Sequence, residues 1–370
     1  MTVPETRNWD GGSYIIYDQN GNPQEVITRN QNRDRHVIWE SELNDSRTIR
    51  NTLNGIGYLD LVLPYGFTAT LKANVNTRNS DYYKYENAVI GDARGTVSED
   101  GSISGRNGAL AKTLYTYKNW TLQEQLRWNM TYNDRHNIEV LLGHENYSYR
   151  YDYTYTSKTN EAFPNRYALS NFSEMASISG YKTRYRTESY LARVQYGYDN
   201  RYNIEASFRR DGSSRFGKKH RWGTFPSVSV AWRASQEKWF PKNDYINDLK
   251  VRAGYGVTGS QASVGNYSYL ASYNTSVYPF GISSGNQTAL VSSTLANPYI
   301  HWEEVAQTNI GFDASLFNSR VMFSFDAYLK ETRDMLVKAS IPITSGFEDT
   351  TTTYTNAGKV RNQGIEMSLH

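Results

Sequence analysis

Three consecutive segments decide the fold class of this chain: Tyr190-Leu-Ala-Arg-Val-Gln-Tyr-Gly-Tyr198, Asp199-Asn-Arg201 and Tyr202-Asn-Ile-Glu-Ala-Ser-Phe-Arg209. In the first and third segments, tyrosine and aliphatic or phenylalanine side chains occupy every second position, and mostly polar residues stand between them. Such alternation predicts β-strands with two different faces, and the polar segment between them predicts a tight turn. The stretch therefore predicts a β-hairpin with one apolar face and one charged face.

The same hairpin recurs along the chain. Three further pairs of alternating segments are joined by short turns: 59–63 and 67–75 across 64–66, 122–132 and 138–142 across 133–135, and 308–316 and 321–327 across 318–320. Long polar stretches rich in Gly, Ser and Asn lie between hairpins, at 81–108, 151–186 and 259–297. Loops of more than about 15 residues are uncommon in compact soluble domains. Short turns at one end and long loops at the other are typical of outer-membrane β-barrels.

The placement of aromatic residues discriminates between two architectures that both predict alternation. A soluble sandwich buries its apolar face, whereas a membrane barrel turns that face to lipid and keeps a polar interior. Tyr196, Tyr198 and Tyr202 flank one short turn, and Trp128 and Tyr132 flank another. Tyr and Trp concentrate at membrane–water interfaces, and strands of about 9 to 11 residues suit a tilted span. The pattern favours an all-β, antiparallel transmembrane β-barrel.

Composition excludes several other classes. The chain has 370 residues, of which 38% are hydrophobic, and contains no run near the roughly 18 apolar residues of a membrane-spanning helix. An aromatic content of 14% argues against disorder, because disordered chains are poor in aromatic residues. The absence of cysteine excludes disulfides, zinc thiolates and cysteine nucleophiles. A net charge of +3 gives no indication of a nucleic-acid partner.

Motifs that resemble catalytic or cofactor sites have simpler interpretations here. Arg210-Asp-Gly-Ser-Ser-Arg215 is interpreted as a loop turn rather than a phosphate site, because Asp-Gly and Ser-rich pairs mark turns. Gly254-x-Gly256-x-x-Gly259 matches a dinucleotide fingerprint only as a string, since no helix or βαβ unit accompanies it. Glycines in a strand more often mark bends or places where another group packs closely.

The sequence predicts no catalytic residue, no metal ligand and no cofactor. The six histidines, at positions 36, 136, 144, 220, 301 and 370, show no metal-ligand spacing. No G-x-S-x-G nucleophile elbow accompanies the Ser, His and Asp residues, so a hydrolase triad is unsupported. The chain is therefore expected not to be an enzyme.

Two groups of side chains are candidates for contact with a substrate or a plug, although substrate-binding residues cannot be assigned from them. The first group lies on the predicted polar face: Arg193, Gln195, Glu205, Arg209, Arg252, Asn309 and Asp326. These residues could equally form a hydrogen-bonded polar wall. The second group, Tyr151, Tyr153 and Tyr155, could stack on sugar rings, belong to an aromatic belt or form an extended hairpin.

Two longer blocks carry a family resemblance. The first runs from Arg210 through His220-Arg-Trp-Gly-Thr-Phe-Pro-Ser-Val-Ser-Val-Ala-Trp-Arg233 to Leu249-Lys-Val-Arg-Ala-Gly-Tyr-Gly-Val-Thr-Gly-Ser-Gln261. The second contains Asn297-Pro-Tyr-Ile-His-Trp-Glu303, then Gln307-Thr-Asn-Ile-Gly-Phe-Asp313, and ends in Asn356-Ala-Gly-Lys-Val-Arg-Asn-Gln-Gly-Ile-Glu366. In content, order and spacing these blocks resemble the barrel of SusC/RagA-type TonB-linked outer-membrane receptors. The resemblance is clearest over residues 190–370.

The resemblance implies a fold, a function and partners. Receptors of this type are 22-stranded barrels filled by an N-terminal plug, the size class in which a plug is expected. The resemblance implies energy-dependent import of large nutrients, either glycans or peptides, across the outer membrane. It also implies a SusD-like surface lipoprotein, a TonB complex and outer-membrane lipid as partners, with an oligosaccharide or peptide as substrate and no nucleic acid.

The chain also departs from that pattern. It shows about 12 or 13 alternating segments, and no signal peptide, plug or TonB box is recognisable in it. Residues 1–370 are therefore expected to form part of one barrel domain, about half of a 22-stranded barrel. Such a part, with two unpaired strand edges, is expected to aggregate when expressed alone.

Two other function classes stay open from the sequence alone. One is a passive porin or adhesin barrel without TonB coupling. The other is a soluble β-rich carbohydrate-binding module, which a detergent-requiring outer-membrane parent protein would exclude.

Overall fold

The computed structural model describes residues 14–17, 23–26, 41–88, 95–97, 103–105, 107–241, 245–279, 286–345, 347 and 352–370. Almost all of these residues belong to β-strands or to the turns that connect them. Within these ranges, no helix is long and apolar enough to cross a lipid bilayer. Short 3₁₀ turns lie at Pro64–Gly66, Leu169–Asn171, Ala234–Gln236 and Ile343–Ser345.

Nineteen strands are present in the described residues. In chain order they are β1 (Tyr14–Tyr17), β2 (Pro23–Val26), β3 (Asp45–Val62), β4 (Phe67–Glu86), β5 (Gly95–Val97), β6 (Ile103–Gly105), β7 (Ala109–Tyr132), β8 (His136–Glu161), β9 (Phe172–Tyr198), β10 (Tyr202–Ser213), β11 (Trp222–Arg233), β12 (Ile246–Ser260), β13 (Ser272–Pro279), β14 (Asn286–Thr294), β15 (Glu303–Leu316), β16 (Val321–Arg333), β17 (Leu336–Ser340), β18 (Thr352–Asn356) and β19 (Val360–Leu369).

Eleven of these strands form one sheet, in the order β19-β16-β15-β12-β11-β10-β9-β8-β7-β4-β3. The other eight strands form four separate two-stranded sheets. The pairs from β9 to β12, and from β12 through β15 and β16 to β19, are antiparallel. The predicted all-β, antiparallel architecture is therefore confirmed, and the eleven strands equal half of 22.

The four predicted hairpins are confirmed as β3–β4, β7–β8, β9–β10 and β15–β16. Their turns use the left-handed backbone region, with φ of 52° at Asn133 and Asp134, 56° at Asp199 and 54° at Asn200. Asn and Asp tolerate this region better than other non-glycine residues because their short side chains form local hydrogen bonds. The polar turn residues therefore fix where the strands reverse, and we refer to this end of the sheet as the short-turn end.

The predicted alternation of faces is also confirmed. Ile204 of β10 lies opposite Tyr196 of β9 and Val230 of β11, whereas the neighbouring Glu205 lies opposite polar residues on both sides. The apolar face is uncovered: Val194, Ile204 and Val230 are 45%, 46% and 45% exposed. A soluble sandwich would bury these side chains, and large exposed apolar surfaces mark contact with lipid or with other proteins.

Aromatic side chains cluster at the short-turn end. Tyr198 and Tyr202 stack across the β9–β10 turn with ring centroids 6.3 Å apart, and Trp232 lies 6.1 Å from Trp239. Glu237 joins this cluster because its carboxylate accepts hydrogen bonds from the Tyr202 hydroxyl and from Trp232 Nε1, the latter at 3.2 Å. The hydrogen bond from Tyr202 is the largest cause that holds the pKa of Glu237 below its usual value.

The prediction of long loops was wrong for most of the stretch 151–186. Residues 151–186 were expected to form a polar loop, but β8 continues to Glu161 and β9 begins at Phe172, so only 162–171 connects them. Strands of 26 and 27 residues also exceed the predicted length of about 9 to 11. In the stretch 259–297, β13 and β14 form a hairpin of their own. The stretch 81–108 contains the end of β4 and the short β5–β6 pair.

The chain divides into two compact units. The first comprises residues 1–53, 76–118 and 150–183, and it contains a small core of Tyr85, Leu110 and Phe172. The second comprises residues 54–75, 119–149 and 184–370. Its buried core lies among the connections at the end opposite the short turns and consists of Phe216, Phe225, Val264, Ile300, Trp302 and Leu336.

Candidate functional site

The polar face of the second unit carries the seven residues that the sequence singled out. Arg193, Gln195, Glu205, Arg209, Arg252, Asn309 and Asp326 all lie on the face opposite the exposed apolar side chains, as the strand registers show. Each of them makes a hydrogen bond to another side chain of that face. Each of the seven thus has a polar partner on this face, in several separate pairs and one larger network.

The strongest contact is an ion-pair network centred on Arg252. Its Nη1 and Nη2 donate to the two carboxylate oxygens of Asp326, both at 2.8 Å. Its Nε and Nη2 donate to Asp313, both at 3.1 Å. Bidentate guanidinium–carboxylate pairs are stronger and more specific in geometry than single hydrogen bonds. Arg252 therefore links β12, β15 and β16 across the polar face.

A glycine makes this network possible. Arg252, Gly311 and Asp326 occupy one register row, in which Gly311 of β15 lies opposite both partners. A Cβ atom at Gly311 would lie 2.5 Å from Asp326 Oδ1 and 2.5 Å from the Phe325 carbonyl oxygen. The missing side chain leaves the space in which the guanidinium and carboxylate groups meet across the middle strand.

Two further pairs continue the polar face toward β8. Arg193 Nη2 donates to Glu139 Oε1 at 2.5 Å. Arg209 Nε donates to Asp211 at 2.8 Å, and Arg209 Nη2 lies 3.8 Å from Glu145. Glu139, Glu145 and Asp313 were not predicted as candidates, although each sits on the polar side of an alternating segment. Alternation could have placed them on this face, but their partners depend on strand register.

The segment Arg210-Asp-Gly-Ser-Ser-Arg215 is structural, as its interpretation as a turn implied, but the turn begins later than predicted. β10 continues to Ser213, and the turn follows at 214–217. The Ser213 side chain is buried and donates to the Gln261 side-chain carbonyl. Arg215 Nη1 donates to the Gln261 backbone oxygen at 2.9 Å, and Arg215 Nε donates to Asn266 Oδ1 at 3.0 Å. These hydrogen bonds link the connection between β10 and β11 to the connection between β12 and β13.

The glycines of the string Gly254-x-Gly256-x-x-Gly259 lie in β12, an antiparallel strand, and open no helix. A Cβ atom at Gly259 would lie 2.1 Å from Cζ of Phe225, which belongs to the buried core of the second unit. The interpretation that something packs closely against these glycines is confirmed at Gly259, where the Phe225 ring occupies the space.

The histidines do not assemble a metal site in the part of the chain that the structure describes. No group of three or more His, Cys, Asp or Glu residues there could hold a metal ion. His36 lies outside the described residues. His136 Nδ1 and the Tyr196 hydroxyl share a hydrogen bond of 2.9 Å, and His144 Nδ1 lies 2.9 Å from Glu124 Oε2.

A half-buried carboxylate marks the far end of the first unit. The Tyr85 hydroxyl donates to Glu161 Oε2 at 2.8 Å and to Oε1 at 3.1 Å. Burial raises the pKa of Tyr85 to about 12, so the hydroxyl stays protonated and can donate. Burial also raises the pKa of Glu161 above its usual value. The pair closes the hairpin of β8 and β9 against β4.

Tyr151 and Tyr153 come together with tyrosines that the sequence analysis had not selected. Tyr151 contacts Tyr115, Tyr117 and Tyr181, and Tyr153 contacts Tyr115 and Tyr181. The signal was present in the sequence as Tyr115-x-Tyr117, but which tyrosines of the other strands these two residues contact depends on strand register. Tyr155 lies on the same strand, half-buried.

Comparison with known proteins supports the fold and the family. The family model described as TonB dependent receptor-like, beta-barrel matches residues 3–370. TonB-dependent receptor P39 of Formosa agariphila is 34% identical over 335 residues, which cover 89% of this chain and 30% of that protein. TonB-dependent receptor SusC of Bacteroides thetaiotaomicron is 26% identical over 364 residues, covering 94% of this chain and 33% of SusC. The chain thus spans about a third of the length of these relatives.

A solved structure shows the same fold. The RagAB peptide transporter superposes with a TM-score of 0.80 at 24% sequence identity, covering 95% of this chain and 37% of the matched chain. The resemblance to SusC/RagA-type receptors is therefore confirmed for the chain.

Proposed function

Because this chain belongs to the family of TonB dependent receptor-like β-barrels, we propose that it forms part of the wall of an outer-membrane importer for large nutrients. Residues 1–370 then belong to one barrel domain, of which the eleven-stranded sheet supplies about half. The nutrient is a glycan or a peptide, and a SusD-like surface lipoprotein and the TonB complex act with the barrel.

One observation carries the proposal. The second unit leaves the apolar face of its sheet exposed, and the charged side chains on the opposite face form ion pairs with one another. Val194, Ile204 and Val230 have no covering layer among the described residues, whereas Arg252 is bound by two carboxylates. Lipid satisfies an apolar face, and a closed barrel lets every backbone group in the bilayer find a partner. The charged face then lines the lumen, where ion pairs such as those of Arg252 link neighbouring strands.

The names of the relatives support transport that is coupled to TonB. Two of the relatives are named TonB-dependent receptors, and the matched solved structure is a peptide transporter. Import coupled to TonB, rather than passive diffusion, is the activity proposed for the whole protein. In this assignment, the short-turn end faces the periplasm and the long connections face the outside.

The test is a deletion of the gene in its own organism, followed by growth on a panel of single glycans and on peptides. We expect the deletion strain to lose growth on one polymeric nutrient. Reintroducing the gene should restore growth, except in a strain that lacks TonB. The complex purified in detergent should contain a surface lipoprotein. A channel that stays open in planar bilayers and supports growth without TonB would instead show a passive porin.

A further inference from the structure

The first unit carries a row of tyrosines on one face of its strands, and we refer to it as the tyrosine ladder. It consists of Tyr115 and Tyr117 of β7, Tyr151 and Tyr153 of β8, and Tyr181 of β9. Side chains of a strand alternate between two faces, so residues two apart lie on the same side. The ring contacts between the three strands show that all five side chains share one face.

The rings of the tyrosine ladder form a continuous surface. The centroid of Tyr151 lies 4.7 Å from that of Tyr117 and 5.7 Å from that of Tyr181. Tyr153 lies 5.4 Å from Tyr115 and 5.1 Å from Tyr181. Tyr181 is 55% exposed, and the other four tyrosines are half-buried by one another. Ring faces and edges therefore remain accessible along the row.

A single cation stands at one edge of the tyrosine ladder. The guanidinium carbon of Arg78 in β4 lies 4.1 Å from the centroid of the Tyr117 ring. A guanidinium stacked on an aromatic ring keeps its N–H groups in its own plane, where they can still donate to an anion. No ion pair joins Arg78 to a carboxylate among the residues that the structure describes.

Within four segments around the tyrosine ladder, the other residues of this face are neutral. On this face, the segments 76–82, 113–117, 151–157 and 177–183 contribute tyrosine, serine, threonine and asparagine besides Arg78. Tyrosine presents an apolar ring and a polar hydroxyl together. Sugars have the same dual character, with C–H groups on the ring face and hydroxyls at its edge. Within these segments, Arg78 is the charged side chain that stands beside the tyrosines.

We propose that the tyrosine ladder binds an oligosaccharide that carries carboxylate or sulfate groups, with sugar rings stacked on the tyrosines and an anionic group bound by Arg78. The inference rests on the proposed import function and names the class of nutrient.

The experiment measures binding to the whole receptor with its lipoprotein partner, purified in detergent. The probes are three hexasaccharides: one of galacturonate units, one carrying sulfate esters and one neutral maltohexaose. Calorimetric titration compares the wild type with Y151A, Y181A and R78Q. For an anionic probe that binds, each tyrosine substitution is expected to weaken binding about 5-fold to 30-fold, the factor for roughly 1 to 2 kcal/mol. R78Q should weaken the anionic probe and leave neutral sugar unchanged.

The controls separate a binding role from a structural one. L114A and I178A change exposed side chains next to the tyrosine ladder but on the other face of β7 and β9, and should leave the affinity unchanged. Y151F keeps the stacking ring and should keep binding within about twofold. Equal affinities for wild type and Y181A, or weakening by L114A as large as by Y181A, would overturn the proposal. So would a wild-type receptor that binds neither anionic probe.

The two proposals fail in different ways. If the deletion strain loses growth on a peptide nutrient, the importer stands and the tyrosine ladder is not its binding surface. If the receptor supports growth without TonB but binds the anionic hexasaccharides through Tyr151 and Arg78, the binding surface stands and the coupled import is wrong.

Discussion

Gly311 shows how one missing side chain positions a charge network. Replacing it with alanine puts a Cβ atom 2.5 Å from Asp326 Oδ1 and from the Phe325 carbonyl oxygen. The backbone oxygen cannot rotate away, so we expect the Arg252–Asp326 pair to be pushed apart. Overpacking of this kind costs about 1–3 kcal/mol. The expected result is a lower temperature for loss of the folded, heat-modifiable band of the receptor in gel electrophoresis.

The matched control is Gly55→Ala in β3. No atom lies within 4 Å of the Cβ position at Gly55, so this substitution adds a methyl group in open space. We expect this substitution to change the free energy of unfolding by no more than about 0.5 kcal/mol, as ordinary surface substitutions do. The transition temperature should therefore stay close to that of the wild type. Equal losses of stability in the two variants would show that a methyl group is harmful at any strand glycine, and that the close contacts at Gly311 are not the cause.

Glu161 gives the first unit a dependence on pH with a defined sign. Burial raises the pKa of Glu161 in the folded hairpin above its value in the unfolded chain, about 4.3. A raised carboxyl pKa contributes stability that is full below the unfolded value and is lost as the pH rises through the folded value. The contribution of Glu161 to the stability of the hairpin is therefore expected to be larger near pH 4 than at pH 7.

Hydrogen–deuterium exchange of the wild type and Glu161→Gln checks this dependence. Glutamine keeps an oxygen that accepts the Tyr85 hydroxyl but does not ionise. The protection of the wild type around 160–161 relative to the variant should fall as the pH rises from 4 to 7. Comparison at each pH removes the intrinsic pH dependence of exchange. A difference between the two proteins that stays constant over this range would contradict the assignment.

At the scale of elements, the extended β8–β9 hairpin predicts a sharp pattern of proteolysis. Arg166 lies exposed in the short connection 162–171, whereas Lys158 and Lys182 lie inside strands. Proteases cut exposed loop tips and spare backbone held in a sheet. Limited trypsin treatment of the folded receptor should therefore cut after Arg166 well before it cuts after Lys158 or Lys182, as mass spectrometry of the fragments would show. Simultaneous cleavage at all three would mean that 151–186 is a loop.

The elements also show what could be predicted from the sequence. The turns at 133–135 and 199–201 were predictable because Asn and Asp mark them locally and apolar alternation surrounds them. The upper parts of β8 and β9 were left open, since Tyr151, Tyr153 and Tyr155 fitted an extended hairpin, an aromatic belt or a sugar-stacking surface equally. The polar side of Arg252 was predictable from alternation. Its partners were not, because Asp313 and Asp326 reach it only through the pairing of β12 with β15 across some forty intervening residues.

For the whole molecule, the exposed apolar face determines the environment in which the chain is stable. Ile310 of β15 is 59% exposed and lies between Ala253 of β12 and Ala327 of β16 on the apolar face, away from both strand ends. In a bilayer, arginine on the lipid side of a barrel costs about 2–4 kcal/mol near the midplane. In water, the same change at an exposed isoleucine costs little. The size of the effect therefore reports what this face contacts.

We expect Ile310→Arg to lower the fraction of full-length receptor that folds into lipid vesicles, measured by heat-modifiable migration. The matched variant is Asn309→Arg, which places the same charge one residue away on the polar face, beside the Gln307 side chain. It should fold as the wild type does. Equal folding of both variants, or recovery of Ile310→Arg as a soluble monomer without detergent, would show that the apolar face is not a lipid-facing surface, and the barrel assignment would fall with it.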